Sequence, residues 1–137
     1  MIEVNNLTLE KIKKKKAVEV IKEVLNKERK RKKISLVFLS SEEIKKINKK
    51  YRKKNQATDV LSFLYEDDFG EIAVCPEVIK KNAKKLKSSY NKELIRVLIH
   101  GVLHLLGYDH KGSREKAQIM NQKEKRYLSI LEKKEII

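Results

Sequence analysis

"LIRVLIHGVLHLLGYDH", residues 94–110, decides how the rest of the chain is read. From Leu94 to Leu106 it is almost unbroken hydrophobe, interrupted only by Arg96, His100, Gly101 and His104. A helix apolar around most of its circumference belongs in the middle of a domain, packed on several sides. Gly107 then ends it, because glycine takes the left-handed turn that closes a helix without a steric cost. The same stretch holds all 3 histidines of the chain. His100 and His104 are four apart, so they project from one helical face, one turn above the other. His110 follows three residues after Gly107 and can fold back toward them. The pattern H-x-x-x-H-x-x-G-x-x-H brings three imidazoles to one ion, at roughly 2.0–2.1 Å for zinc. Core histidines bonded to backbone would account for one imidazole, but less well for three in this register.

Three neutral imidazoles leave a fourth tetrahedral position for water, the mark of a catalytic rather than a structural zinc site. Imidazole also suits nickel and copper, so the ligands alone do not name the ion. The spacing equals that of metzincin proteases, which carry glutamate after the first histidine as general base. Here that position is Gly101, which disfavours peptide hydrolysis by that mechanism. Asp109 is the nearest carboxylate. It can orient a ligand histidine, accept a proton, or bond its own backbone as a turn residue. Cys75 is a possible extra ligand, although a lone cysteine at a strand end is more commonly core.

Outward from this helix, the remaining elements follow from periodicity. Ile2–Val4 reads as a short strand, and Thr8 to about Glu28 as a helix carrying Ile12, Val18, Ile21 and Leu25. Ile34–Leu39 is a strand. Ser40 with Glu43 forms a capping box for a helix with Ile44, Ile47 and Tyr51 turned inward. Val60–Tyr65 and Glu71–Cys75 form a hairpin around an acidic turn ending in Gly70. Pro76 opens a helix running to about Lys87, the apolar helix spans about Asn91 to Leu106, and Ser113 caps a last one with Met120, Tyr127 and Leu131 inward. The order β-α-β-α-β-β-α-α-α predicts one α+β domain over residues 1–137: a small mixed sheet of about four strands with about five helices, and the metal site on the central buried helix.

The 137 residues suffice for one core, with 40% hydrophobic and 39% charged residues. One cysteine permits no internal disulfide, no apolar run approaches a membrane span, and the N-terminus lacks a signal-peptide layout; a cytoplasmic protein is expected. The formal net charge of +15 attracts polyanions, nucleic acid first among them, although thermophilic or lysine-biased sequences reach similar values. With only 5 tyrosines, 3 phenylalanines and no tryptophan, a dedicated base-stacking platform is not expected.

A second stretch, "YRKKNQATDVLSF" (51–63), leads from a helix end into a strand. Arg52 can grip phosphate bidentately in a chain that otherwise prefers lysine, or it can form an ordinary surface ion pair. Together, "HGVLHLLGYDH", "YRKKNQATDVLSF" and "GEIAVC" (70–75), in this order and spacing, resemble the YbeY family of endoribonucleases, the rRNA maturation factors. Ala57 and Leu64 stand where that family commonly has proline, and Glu71 where it has aspartate. The resemblance implies one Zn²⁺ per chain on His100, His104 and His110, with Arg52 in a basic channel that grips RNA and with Arg52 and His104 as catalytic residues. It further implies single-strand-specific cleavage in 3′-end maturation of small-subunit (16S) rRNA and in ribosome quality control. Ribosomal RNA and the small subunit would be partners, with no membrane and no dedicated small-molecule substrate. Two other functions use the same ligands: a metalloprotease-like amide hydrolase, and a non-catalytic, zinc-containing ribosome-assembly factor.

Overall fold

In a computed structural model, which describes residues 1–109 and 112–134, the chain folds as four strands and five helices. β1 (Ile2–Asn6), β2 (Lys33–Phe38), β3 (Val60–Glu66) and β4 (Phe69–Val74) form one sheet of order β1-β2-β4-β3. β1, β2 and β4 run parallel, with Val4 beside Leu36 and Leu36 beside Ile72. β3 lies antiparallel to β4, placing Ser62 opposite Ile72, and forms a sheet edge. The expected α+β class and mixed sheet are therefore what the chain adopts.

The pleat sorts the sheet's side chains onto two faces. Ile34, Leu36, Phe38, Ile72 and Val74 face the main core, built with α1 (Lys14–Lys27), α3 (Pro76–Leu86), α4 (Tyr90–Leu105) and α5 (Arg114–Lys133). Val37, Leu61, Ala73 and Cys75 face the other way, where α2 (Ser41–Arg52) covers them with Ile44 and Ile47. α4 is the centre of the main core. It packs against α1, α3, α5, β3 and β4, and buries Ile95, Val97, Leu98, Ile99, Val102, Leu103 and Leu105.

The ends of α4 are fixed locally. Ser89 caps its start by accepting from the backbone N–H of Lys92 at 3.1 Å. At its end, Gly107 (φ +98°) donates to the His104 carbonyl, and Tyr108 donates to that of Leu103. This pair of bonds is a Schellman closure, which satisfies the last carbonyls and sends the chain out beside His104.

Two expectations require correction. α1 begins at Lys14, not Thr8. Asn6 Oδ1 accepts from both the backbone and hydroxyl of Thr8, Thr8 Oγ1 accepts from Glu10 N–H, and Asn6 Nδ2 donates to the Glu10 carbonyl. These side chains supply the turn's hydrogen bonds and compete with helix there. Tyr51 is 60% exposed rather than inward, because its ring leans on Phe63 beyond the edge of the α2 cluster.

Candidate active site

The face of α4 that is not buried by apolar packing opens into a cavity of about 480 Å³ lined by Arg52, Ser62, His100, His104 and Asp109, together with the 54–58 segment. Four of the sequence-predicted site residues thus meet in one place. His110 lies outside the described residues. Cys75, fully buried in the α2-facing cluster, is not among the residues lining this cavity.

The two histidines stand one turn apart with ring centroids 4.6 Å from each other and an interplanar angle of 68°. Nδ1 of His100 lies 2.5 Å from Oε1 of Glu124, a residue of α5 with only 11% of its side chain exposed. A carboxylate there favours the tautomer protonated on Nδ1, whose lone pair is then on Nε2. This is the arrangement by which carboxylates orient metal-binding imidazoles. Among the described residues no group of three His, Cys, Asp or Glu side chains converges to hold an ion. The chemistry of the described donors nonetheless fits one: a carboxylate-backed imidazole, a second imidazole one turn away, and a carboxylate in the same cavity.

Glu124 was not anticipated from sequence, yet it left a signal. Met120, Glu124, Tyr127 and Leu131 recur on one face of α5, and all four are buried. A carboxylate in that apolar stripe needs a polar partner, because an unpaired buried charge is strongly unfavourable.

Gly101 explains why no glutamate follows His100. A Cβ at this position would lie 3.0 Å from Cγ2 and 3.3 Å from Cδ1 of Ile72. Ser62 Oγ also donates to the Gly101 carbonyl at 3.2 Å. Here α4 sits directly on β3 and β4, and a side chain would meet the sheet rather than the cavity.

Arg52 ends α2. One terminal nitrogen donates to the Ser62 carbonyl at 2.9 Å, and its guanidinium lies 5.4 Å from the Phe63 ring centroid. The segment after it is held by buried Asn48, whose Nδ2 donates to the Gln56 carbonyl and whose own carbonyl accepts from Lys54 N–H. A left-handed residue, Lys53 (φ +57°), turns the chain there. Asn48 thereby fixes the wall that carries Lys54, Gln56 and Thr58 into the cavity.

The segment leaving α4 is anchored through Tyr108. Its hydroxyl donates to Glu28 Oε1 at 2.6 Å, Lys123 donates to Oε2 at 2.8 Å, and the Tyr127 hydroxyl donates to the same oxygen. Lys123 also lies 5.0 Å from the Tyr108 ring centroid. Burial pushes the Glu28 carboxyl up, but the bonds from Lys123, Tyr108 and Tyr127 outweigh it and hold the group below its ordinary 4.5. Burial, then the Glu28 bond, pushes the Tyr127 hydroxyl up to about 12.

Comparison with known proteins agrees with this architecture. The family model of endoribonuclease YbeY matches residues 2–132. The endoribonuclease YbeY of Thermotoga petrophila is 42% identical over 112 residues, covering 80% of this chain and 75% of its own. That of Thermosipho melanesiensis is 52% identical over 96 residues, covering 69% and 70%. The solution structure of TM1509 from Thermotoga maritima superposes with a TM-score of 0.69 at 35% identity, covering 93% of this chain and 87% of that one. The chain belongs to the endoribonuclease YbeY family.

Proposed function

We propose that this protein is a metal-dependent endoribonuclease that hydrolyses phosphodiester bonds of single-stranded RNA. Its substrate in the cell is precursor small-subunit rRNA, trimmed at the 3′ end in the cytoplasm, and the same activity serves ribosome quality control. The observation that carries the reading is the meeting of Arg52, Asp109, His100 and His104 in one cavity of a chain with net charge +15. Family membership supports RNA as the polymer cut, and the charge supports a long polyanion as the partner.

His100, His104 and His110 would hold one Zn²⁺. The ion would supply Lewis acidity toward a phosphoryl oxygen and lower the pKa of a nearby water. Glu124 keeps the His100 ring in one orientation and tautomer. Arg52, with one N–H committed to the Ser62 carbonyl, is pre-oriented, and its remaining N–H groups meet the phosphate and the charge that gathers on it in the transition state. Asp109 lines the cavity and is the carboxylate that takes the proton of the attacking water. A peptidase reading is weaker, since the position of its general base is filled by the packing of Gly101 on Ile72.

The deciding experiment measures bound metal and cleavage of single-stranded and duplex RNA by wild type and His104→Ala. Metal and cleavage lost together in the variant, with the wild type cutting single strands, support the reading. A folded, metal-free wild type that still cuts RNA overturns it. The product ends add a second check: direct hydrolysis leaves no 2′,3′-cyclic phosphate, whereas attack by the RNA's own 2′-hydroxyl does.

A further inference from the structure

The sequence holds few aromatic residues, but the fold gathers half of them beside the active site. β3 is an edge strand that outruns the helix covering it. Leu61 is buried under α2, Phe63 is half-covered, and Tyr65, next on the same face, is 57% exposed. Tyr51, from the last turn of α2, packs edge-to-face on Phe63 with centroids 5.6 Å apart. Tyr65 leans on Phe69 with centroids 5.5 Å apart, and its hydroxyl donates to Glu71 Oε1 at 3.1 Å. Tyr51, Phe63, Tyr65 and Glu71 line a groove of about 580 Å³ that shares Arg52 and Ser62 with the histidine cavity.

We infer that this groove is a nucleobase subsite, in which a base of single-stranded RNA flanking the scissile phosphate stacks on Tyr65 or Tyr51. Four observations point to a base. The groove shares Arg52, the proposed phosphate contact, with the histidine cavity, so a strand held there can run along it. Cations border the rings: Lys50 Nζ lies 5.2 Å from the Tyr51 centroid and the Arg52 guanidinium 5.4 Å from that of Phe63. The bonds and ring contacts hold Tyr65 and Tyr51 in place with their rings still largely exposed, which is what a sequence-tolerant stacking platform requires. A carboxylate, Glu71, at the groove's edge can accept from a base amino or imino group. A duplex cannot enter in this way, because its base faces are already stacked on one another.

The inference rests on the endoribonuclease reading, so its test is made independent of cleavage. In a His104→Ala background, binding of a short single-stranded RNA is measured by fluorescence anisotropy for Tyr51→Ala, Tyr65→Ala and Tyr65→Phe. One or both alanine variants should lose about fivefold or more in affinity, the low end of one base–aromatic stack, while Tyr65→Phe retains it. An RNA with one abasic nucleotide beside the bound phosphate should bind wild-type and alanine grooves equally. Unchanged affinity in both alanine variants, or equal losses for intact and abasic RNA, overturns the subsite. So does a change in oligomeric state without a change in RNA affinity, which would assign the patch to protein contact. Both tyrosines are exposed, so the variants should fold; failure of cleavage in the parent protein would instead strike the endoribonuclease reading and leave this binding result standing.

Discussion

Two glutamates with mostly buried side chains bond to groups around α5, and they do opposite things. Glu28, at the end of α1 with 8% of its side chain exposed, accepts from Tyr108, Lys123 and Tyr127. Its partners are permanent donors at neutral pH, so the cluster is closed and its work is to join α1, α5 and the exit from α4. Glu124 faces His100, whose proton can sit on either nitrogen and whose ring lines the cavity. A carboxylate ringed by fixed donors stabilises a structure, whereas one paired with an imidazole sets what that imidazole can bind. The difference lies in the partners, not in the burial.

The comparison breaks most visibly on the imidazole side. His104→Ala should lower cleavage of single-stranded RNA by more than about a hundredfold, with an unchanged far-UV circular dichroism spectrum. Cleavage at wild-type rate would remove the histidine pair from the chemistry. Glu124→Gln tests the carboxylate that backs it. Its metal affinity, measured by competition with a chromophoric chelator, should fall by about 10- to 100-fold, the usual cost of losing an orienting carboxylate. An unaltered affinity would reduce Glu124 to a satisfied core residue.

Glu28→Gln should reverse the pattern, costing stability more than catalysis. It removes the charge from three hydrogen bonds, and the expected loss is about 2 kcal/mol, read as a lower urea midpoint. The pH dependence has a definite sign. The folded-state carboxyl lies below its ordinary 4.5, so its contribution is present above that pH and is lost as pH falls through the lowered value. The variant should therefore lose less stability than wild type between neutral and acidic pH. If both lose the same amount, the Glu28 cluster contributes nothing to acid sensitivity.

The same contrast explains what could be read from the sequence. α4 was legible because burial on most sides forces an apolar run, and the spacing of His100 and His104 depends only on helical geometry. The sheet and its hairpin were legible because β-branched runs are local. Glu124 was harder: its role depends on a partner 24 residues away on another helix. The exposure of Tyr51 was missed for a related reason. Periodicity puts Tyr51 in line with Ile44 and Ile47, but it cannot say that the sheet beneath the last turn of α2 ends in an open edge strand. The late start of α1 was hidden by side-chain bonds of Asn6 and Thr8 that propensity does not encode.

The smallest expected effect concerns Gly101, where α4 meets the sheet between the two regions. In an ordinary helix interior, glycine to alanine gains up to about 1 kcal/mol of helix propensity. Here the new methyl lies 3.0 Å from Ile72 Cγ2, and Ile72 is fully buried, so it can yield only by pushing on β2 and α4 neighbours. Overpacking of a closed core costs about 1–3 kcal/mol, and this term should win narrowly. Gly101→Ala should therefore be destabilised by about 1 kcal/mol or less in urea unfolding. A variant more stable than wild type by the full propensity gain would mean that α4 rides higher above β4. In that case the contact between α4 and the sheet would have room for a side chain at position 101, and its close packing on Ile72 would no longer disfavour a peptidase.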